Sequence, residues 1–262
     1  MRHVPTVAWR ELRSLFVSPV AYGVLSLFSV LAGAFFVLSV AAFGAWEMQL
    51  RQMQAAEMLA ELNLSDHLVG NFYGSIAVIL LFLIPGITMG LFSSEKTNGT
   101  QELLLTSPLT IWDIVLGKFV AAALFVALLI GIVGAFPGVL FLYGDPELGK
   151  TVSGLLGLLL VGWGYVSIGC FASALTRSQV VGFLIALVLL LFLLLLPAIS
   201  QLGLSGAGTE GIASLLRWLS TDQHMQPLVQ GLVNTADLAY FVVLIGTFLL
   251  LTKAAVESVR WR

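Results

Sequence analysis

Apolar positions in this chain come in long blocks, separated by short breaks that hold nearly all of the charge. A helix needs about 20 consecutive apolar residues to cross the hydrocarbon core of a bilayer. Six blocks reach that length: roughly 20–43, 72–93, 116–142, 152–175, 179–200 and 237–255. The fifth is the plainest. Val180 to Leu196 holds no charge and consists mostly of Leu, Val, Ile and Phe. At about −0.3 to −0.6 kcal/mol per such residue its insertion is favourable by several kcal/mol. The short alternating segments of a membrane β-barrel are not seen. The pattern predicts an all-α polytopic membrane protein, one transmembrane domain over residues 1–262 with six transmembrane helices. Ahead of the first span, Val4, Val7, Ala8, Leu12, Leu15 and Phe16 recur at helical spacing, while Arg2, Arg10, Glu11, Arg13 and Ser14 fall largely elsewhere. Residues 1–18 therefore read as an amphipathic helix in the membrane interface, ending near Pro19; an ordinary helical lead-in is the alternative. They do not have the short basic region and apolar core of a cleavable signal peptide.

Composition strengthens this reading. Of 262 residues 59% are hydrophobic and 10% charged, against about 25% charged in soluble domains, and mean hydropathy is +1.02. A soluble enzyme of this composition could not hide its apolar surface. The net charge of −2 and the lack of a basic block give no reason to expect a nucleic acid partner. The single cysteine, Cys170, excludes an internal disulfide and a cysteine-based metal cluster. The distribution of Lys and Arg sets the orientation. With the N-terminus inside, nine fall on cytoplasmic segments and three (Arg51, Lys150 and Arg217) outside, so both termini are expected in the cytoplasm.

Three connections are long: 44–71 outside, 94–115 inside and 201–236 outside. The last is partly apolar, and Ile212–Leu219 and Met225–Val233 read as short helices that can dip into the outer leaflet. Gly144 to Thr151 matches the phosphate-binding pattern G-x-x-x-x-G-K-[ST], yet a span precedes it, a span follows it, and Asp145 and Glu147 would repel phosphate. It reads as a tight outer turn. His67 and His224 share the outer side with Asp66 and Asp222 beside them, but solvated or capping roles outweigh a metal site there. Asn63-Leu64-Ser65 fits a glycosylation sequon, a weak signal. None of the spans has a central ionisable residue, which argues against a carrier coupled to protons or sodium. A passive channel, or a transporter energised by another subunit, remains. Gly86-x-x-x-Gly90, Gly134-x-x-x-Gly138 and the glycines of the fourth span read as internal packing faces, with a dimer seam at either GxxxG as the alternative.

The inner connection carries the most specific pattern. Pro85 should kink the second span, beside Gly86. Glu95-Lys96-Thr97-Asn98-Gly99-Thr100-Gln101-Glu102-Leu103-Leu104-Leu105-Thr106-Ser107-Pro108 follows, where Asn98 or Thr100 can cap a short helix that Pro108 closes. Three successive leucines on a cytoplasmic helix without a core of its own suit a groove on a partner; packing on the membrane face or on neighbouring helices is the alternative.

Here the sequence resembles the permeases of ABC type-2 exporters, close to the gliding-motility-type branch. Pro85, Thr88, Met89, Glu95, Lys96, Gly99, Thr100, Glu102, Leu103, Leu104, Leu105, Thr106 and Pro108 fit the pattern, as does Gly117-Lys118-Phe119 downstream. Ser220, His224, Gly231, Asp237, Tyr240 and Phe241 resemble the segment before the last span, and Arg10-Glu11-Leu12 and Ser18-Pro19-Val20 the start. Gly90 stands where a basic residue is common and Ser94 where an acid is common.

The resemblance implies a permease subunit in a bacterial cytoplasmic (inner) membrane, paired with a second permease copy as a homo- or heterodimer. Each copy would dock on a cytoplasmic ABC ATPase that binds the ATP and Mg, so this chain would need no cofactor and catalyse nothing. An accessory periplasmic or membrane protein is a further expected partner. Residues 94–108 would couple the ATPase to the spans through Glu95, Lys96, Gly99, Thr100, Glu102, Leu103, Leu104 and Leu105. Pro85 and Gly86 would form the kink, and His224, Gly231 and Asp237 would belong to the outer segment. The alternative function is a membrane scaffold or channel without an ATP-driven cycle.

Overall fold

A computed structural model describes residues 3–53, 65–100, 110–143, 147–202 and 210–258. Glu102, Leu103, Leu104 and Leu105 lie outside the described residues, as does the Gly144–Pro146 part of the phosphate-loop-like match. The described chain is helical throughout. It runs α1 (Val4–Val17), α2 (Pro19–Gln52), a π turn (Ser65–Val69), α3 (Gly70–Thr88), α4 (Gly90–Thr97), α5 (Ile111–Tyr143), α6 (Leu148–Leu175), α7 (Gln179–Leu202), α8 (Glu210–Trp218), α9 (Thr221–Val229) and α10 (Thr235–Ser258). Six of these stretches are long and apolar enough to cross a membrane, with α3 and α4 acting as one.

The spans are longer than the apolar blocks that announce them. The first block ends near 43, yet α2 continues for 34 residues to Gln52, roughly 50 Å at 1.5 Å per residue. No breaker intervenes after Gly44, and Arg51 closes an i,i+4 pair on Glu47 at 2.6 Å. Ser18 caps the start by accepting the Val20 N–H at 3.3 Å, and Pro19 occupies the first helical position, where its missing donor does no harm.

The bundle is organised around α6. Two thirds of its most apolar window (67%) is buried, against 11% for α2. Its glycines explain this, because a missing side chain lets a neighbour approach the backbone. A Cβ on Gly154 would meet the Tyr73 ring of α3 at 2.5 Å, one on Gly162 would meet Val126 of α5 at 2.8 Å, and one on Gly164 would meet Leu244 of α10 at 2.8 Å. Gly157 receives Leu228 of α9 at 3.0 Å. The glycine-rich span is thus an internal packing face for four helices, as its pattern suggests. Helix α1 lies along the first turns of α5, with Val7 and Ala8 buried. Gly117 makes room for it, since a Cβ there would meet Val7 at 2.6 Å. Lys253 of α10 lies 5.6 Å from the Trp112 ring of α5. Both described ends of the chain therefore share one end of the bundle, here the proximal end; α8 and α9 lie at the distal end.

Among the described glycines Gly169 is packed most tightly: a Cβ on it would stand 2.1 Å from Thr88 Oγ1. Gly169→Ala is expected to destabilise the bundle by about 1–3 kcal/mol through overpacking. Thermal unfolding of the detergent-solubilised protein measures this, with Gly86→Ala, whose Cβ meets nothing within 4 Å, as the neutral comparison.

Candidate functional site

The second span breaks one turn beyond Pro85. The Pro85 carbonyl still accepts the Met89 N–H at 2.9 Å, and Thr88 Oγ1 donates back to the Ile84 carbonyl at 2.9 Å. Helix α4 then restarts at Gly90 with Met89 in the capping position. A methionine has no oxygen with which to accept the free N–H groups of a first turn. Ser173 of α6 supplies one from outside. Its Oγ accepts from the Phe92 and Ser93 N–H groups at 3.0 and 3.2 Å and donates to the Met89 carbonyl at 2.8 Å. One hydroxyl from the central helix therefore holds both sides of the break.

Helix α4 is fixed to two further elements by adjacent side chains. Lys96 donates from Nζ to the Ala174 carbonyl at the C-terminal end of α6, and Thr97 from Oγ1 to the Arg177 carbonyl, just beyond that end. The last carbonyls of a helix lack partners within it, and Lys96 supplies one of them with a donor. Glu95 points to α5, where its Oε1 lies 2.7 Å from Lys118 Nζ. Lys118 is almost completely buried, at 2% exposure. It also faces Glu11 of α1 at 3.4 Å and lies over the Phe92 ring at 5.5 Å. Arg10 extends the series, 2.7 Å from Glu11. Arg10, Glu11, Lys118 and Glu95 form a chain of alternating sign that joins α1, α5 and α4. A buried ammonium is costly unless paired, so its two carboxylates define where α1 and α4 sit.

Helix α4 ends at Asn98, whose N–H reaches the Ser94 carbonyl at 2.9 Å. Gly99 follows at φ 69°, a left-handed conformation that glycine takes without strain. Thr100 donates weakly back to the Glu95 carbonyl at 3.5 Å. This corrects one expectation. Asn98 closes a helix continuing from the second span instead of opening a new one, and Glu95 and Lys96 belong to that preceding helix. The physical reason is Ser173, which restarts the helix at Gly90. The sequence singled out Glu95 and Lys96 but not their partners. Lys118 appeared only within Gly117-Lys118-Phe119, and nothing local marked Ser173.

At the distal end the structure unites His224 and Asp237. His224 Nδ1 is 2.7 Å from Asp237 Oδ1 and Nε2 is 2.9 Å from the Trp218 carbonyl. Asp222, its neighbour in sequence, instead accepts from Gln226 at 3.2 Å. The Tyr240 ring stacks on the imidazole with centroids 4.0 Å apart and donates its hydroxyl to the Leu219 carbonyl at 2.7 Å. Two carbonyls at the end of α8 thus receive side chains from α9 and α10. Gly231 is not part of this cluster. At φ 88° it terminates α9, with the Gly231 N–H on the Leu228 carbonyl at 3.2 Å and the Leu232 N–H on the Pro227 carbonyl at 2.9 Å, the paired bonds of a Schellman cap. His67 packs on Trp46 with centroids 4.4 Å apart, away from His224. No group of three metal-ligating side chains occurs among the described residues.

Fold and site together define a multi-pass membrane protein whose polar contacts converge on the segment after its second span. The chain belongs to the ABC-2 family of transporter proteins: the family model described as ABC-2 family transporter protein matches residues 5–258. It is a permease-type transport subunit. No curated protein matches the chain.

Two outcomes test these clusters. Because either carboxylate alone still faces Lys118, Glu11→Gln and Glu95→Gln should each cost about 1–3 kcal/mol, and together more than their sum, since the pair leaves a buried cation uncompensated. Additive losses in denaturation of the solubilised protein would show that the cation is not shared. His224→Ala is expected to raise amide hydrogen exchange across 210–232 while leaving 148–175 protected.

Proposed function

We propose that this chain is the transmembrane subunit of an ATP-driven exporter, moved by a separate ATPase that docks on residues 94–108. The observation that carries this reading is the three-way fixation of α4. The helix leading into the Gly99–Pro108 pattern is tied to α6 through Lys96, to α5 through Glu95 and Lys118, and to α1 through Lys118 and Glu11. A push delivered just beyond Gly99 would reach three helices at once. The resemblance of residues 85–108 to the gliding-motility-type branch supports both an exporter and a bacterial inner membrane. The bias of Lys and Arg supports cytoplasmic termini, with α1 along the cytoplasmic interface.

The ATPase would contribute ATP and Mg. A second permease copy, identical or related, would complete the translocation path. The apolar outer face of α2, with Val30 and Val37 both more than 60% exposed, is available to that copy or to lipid. The cargo would cross between the subunits as the coupling segments move.

The test is copurification with the ATPase expressed alongside. Leu104→Asp and Glu102→Arg should leave the permease inserted and monodisperse but reduce bound ATPase about tenfold or more, equivalent to about 1.4 kcal/mol or more of docking energy. Undiminished ATPase binding in both variants would overturn the docking assignment.

A further inference from the structure

We propose that the distal end of α3 forms a two-part site for a single-chain amphiphile with a cationic amine head. Two cavities flank this end of the helix. One, of about 540 Å³, lies between α3 and α9; the other, of about 430 Å³, lies between α3 and α2. Both fall within the roughly 300–1,000 Å³ typical of small-molecule sites. They meet along one ridge, because Asn71 and Ser75 line both. Gly74, on the wall of the first cavity, has nothing within 4 Å of where a Cβ would stand, so the first cavity stays open above it.

The two cavities differ in chemistry. The first presents Asp222, Gln226 and Gln230 from α9 opposite Asn71. Among the described residues of the two linings, Asp222 is the one with a formal charge. Its carboxylate takes one hydrogen bond, from Gln226 at 3.2 Å, and a carboxylate has capacity for several more. Lys150, which packs on Gly231 next to Gln230, stands 3.4 Å from Glu147. The second cavity is walled by Phe35, Leu38, Phe43 and Trp46 of α2, with His67 against Trp46. An ammonium group would donate to Asp222 and to the amide oxygens around it, while an alkyl chain crossing the Asn71–Ser75 ridge would lie along the aromatic wall. An anionic head would meet the Asp222 charge. A wholly apolar molecule would gain no polar contact from the carboxylate and amides of the first cavity. A third, narrow cleft continues inward from the first past Asp222 and Met225 to Tyr165 and Leu194, so the site opens toward the middle of the bundle.

As a cargo site this rests on the permease reading; binding of the amine does not. The probe is dodecylamine carrying a diazirine in its chain, photolysed with the full-length protein in lipid nanodiscs and mapped by peptide mass spectrometry. The matching alcohol and sulfate run in parallel. The amine should label 35–46 and 71–78 in preference to the exposed face of α7 at Val181, Leu184 and Val188. Asp222→Asn should reduce amine labelling about fivefold, near 1 kcal/mol, and leave alcohol labelling unchanged. Gly74→Trp, which fills the opening without touching the charge, should reduce labelling by the amine too. Equal labelling by the alcohol or the sulfate, amine labelling that ignores Asp222→Asn, or even labelling over α7 overturns the proposal. The measurement contains no ATPase, so a negative result leaves the coupling assignment standing, and loss of ATPase binding leaves this site standing.

Discussion

An ammonium group cannot be buried in a helical bundle without anions beside it, and this structure buries one at Lys118. Its side chain starts near the base of α5, where the aliphatic stem packs among apolar neighbours and the charge has little contact with water. Two carboxylates come to it from different parts of the chain, Glu11 from the N-terminal helix and Glu95 from the helix that follows the second span. Separating either helix from α5 strips the cation of a partner in a medium of low dielectric, where Coulomb interactions are strong and solvation is poor. The positions of α1 and α4 are thus consequences of one charge balance. Arg10 then compensates the acid excess from the solvent side.

The rest of the proximal end follows from a second deficit of the same kind, in hydrogen bonds instead of charge. A helix interrupted at Met89 exposes donors and acceptors that the bilayer cannot satisfy. Ser173 satisfies three of them, and it can do so because Gly169, one turn earlier on α6, lets Thr88 approach the backbone. The glycines of α6 and the hydroxyl of Ser173 therefore act together: close approach brings the broken helix within reach, and the hydroxyl makes the break tolerable.

The distal end repeats the logic with aromatic groups. The carbonyls of Trp218 and Leu219 need donors, and His224 and Tyr240 provide them while stacking on each other. That cluster anchors α9 against α10 and leaves its outer face, with Asp222, Gln226 and Gln230, turned toward α3. A fixed helix with one polar face is what allows the cavity beside α3 to keep a definite shape.

The sequence by itself determined the class of the molecule, because the bilayer imposes a length and an apolarity that six blocks meet and soluble folds do not. Residue type alone also announced the packing role of the α6 glycines, but not the stop at Gly99 or the turn at Gly231, where the sequence reads as a helix start at Asn98 or Thr100 and as a helix running from Met225 to Val233. The limits of the spans were less readable, because α2 continues past its apolar block through helix formers and an i,i+4 ion pair that hydropathy does not register. What only the tertiary structure decided is partnership. Glu95 lies 23 positions from Lys118, and Glu11 lies 107 away; no spacing rule connects them. His224 has an acid two residues before it, yet its partner is Asp237, because helix α9 carries Asp222 away from the ring and the start of α10 brings Asp237 to it. Charges along a chain declare that they must be balanced. Which ones balance each other is settled by the packing that brings distant helices within 3 or 4 Å.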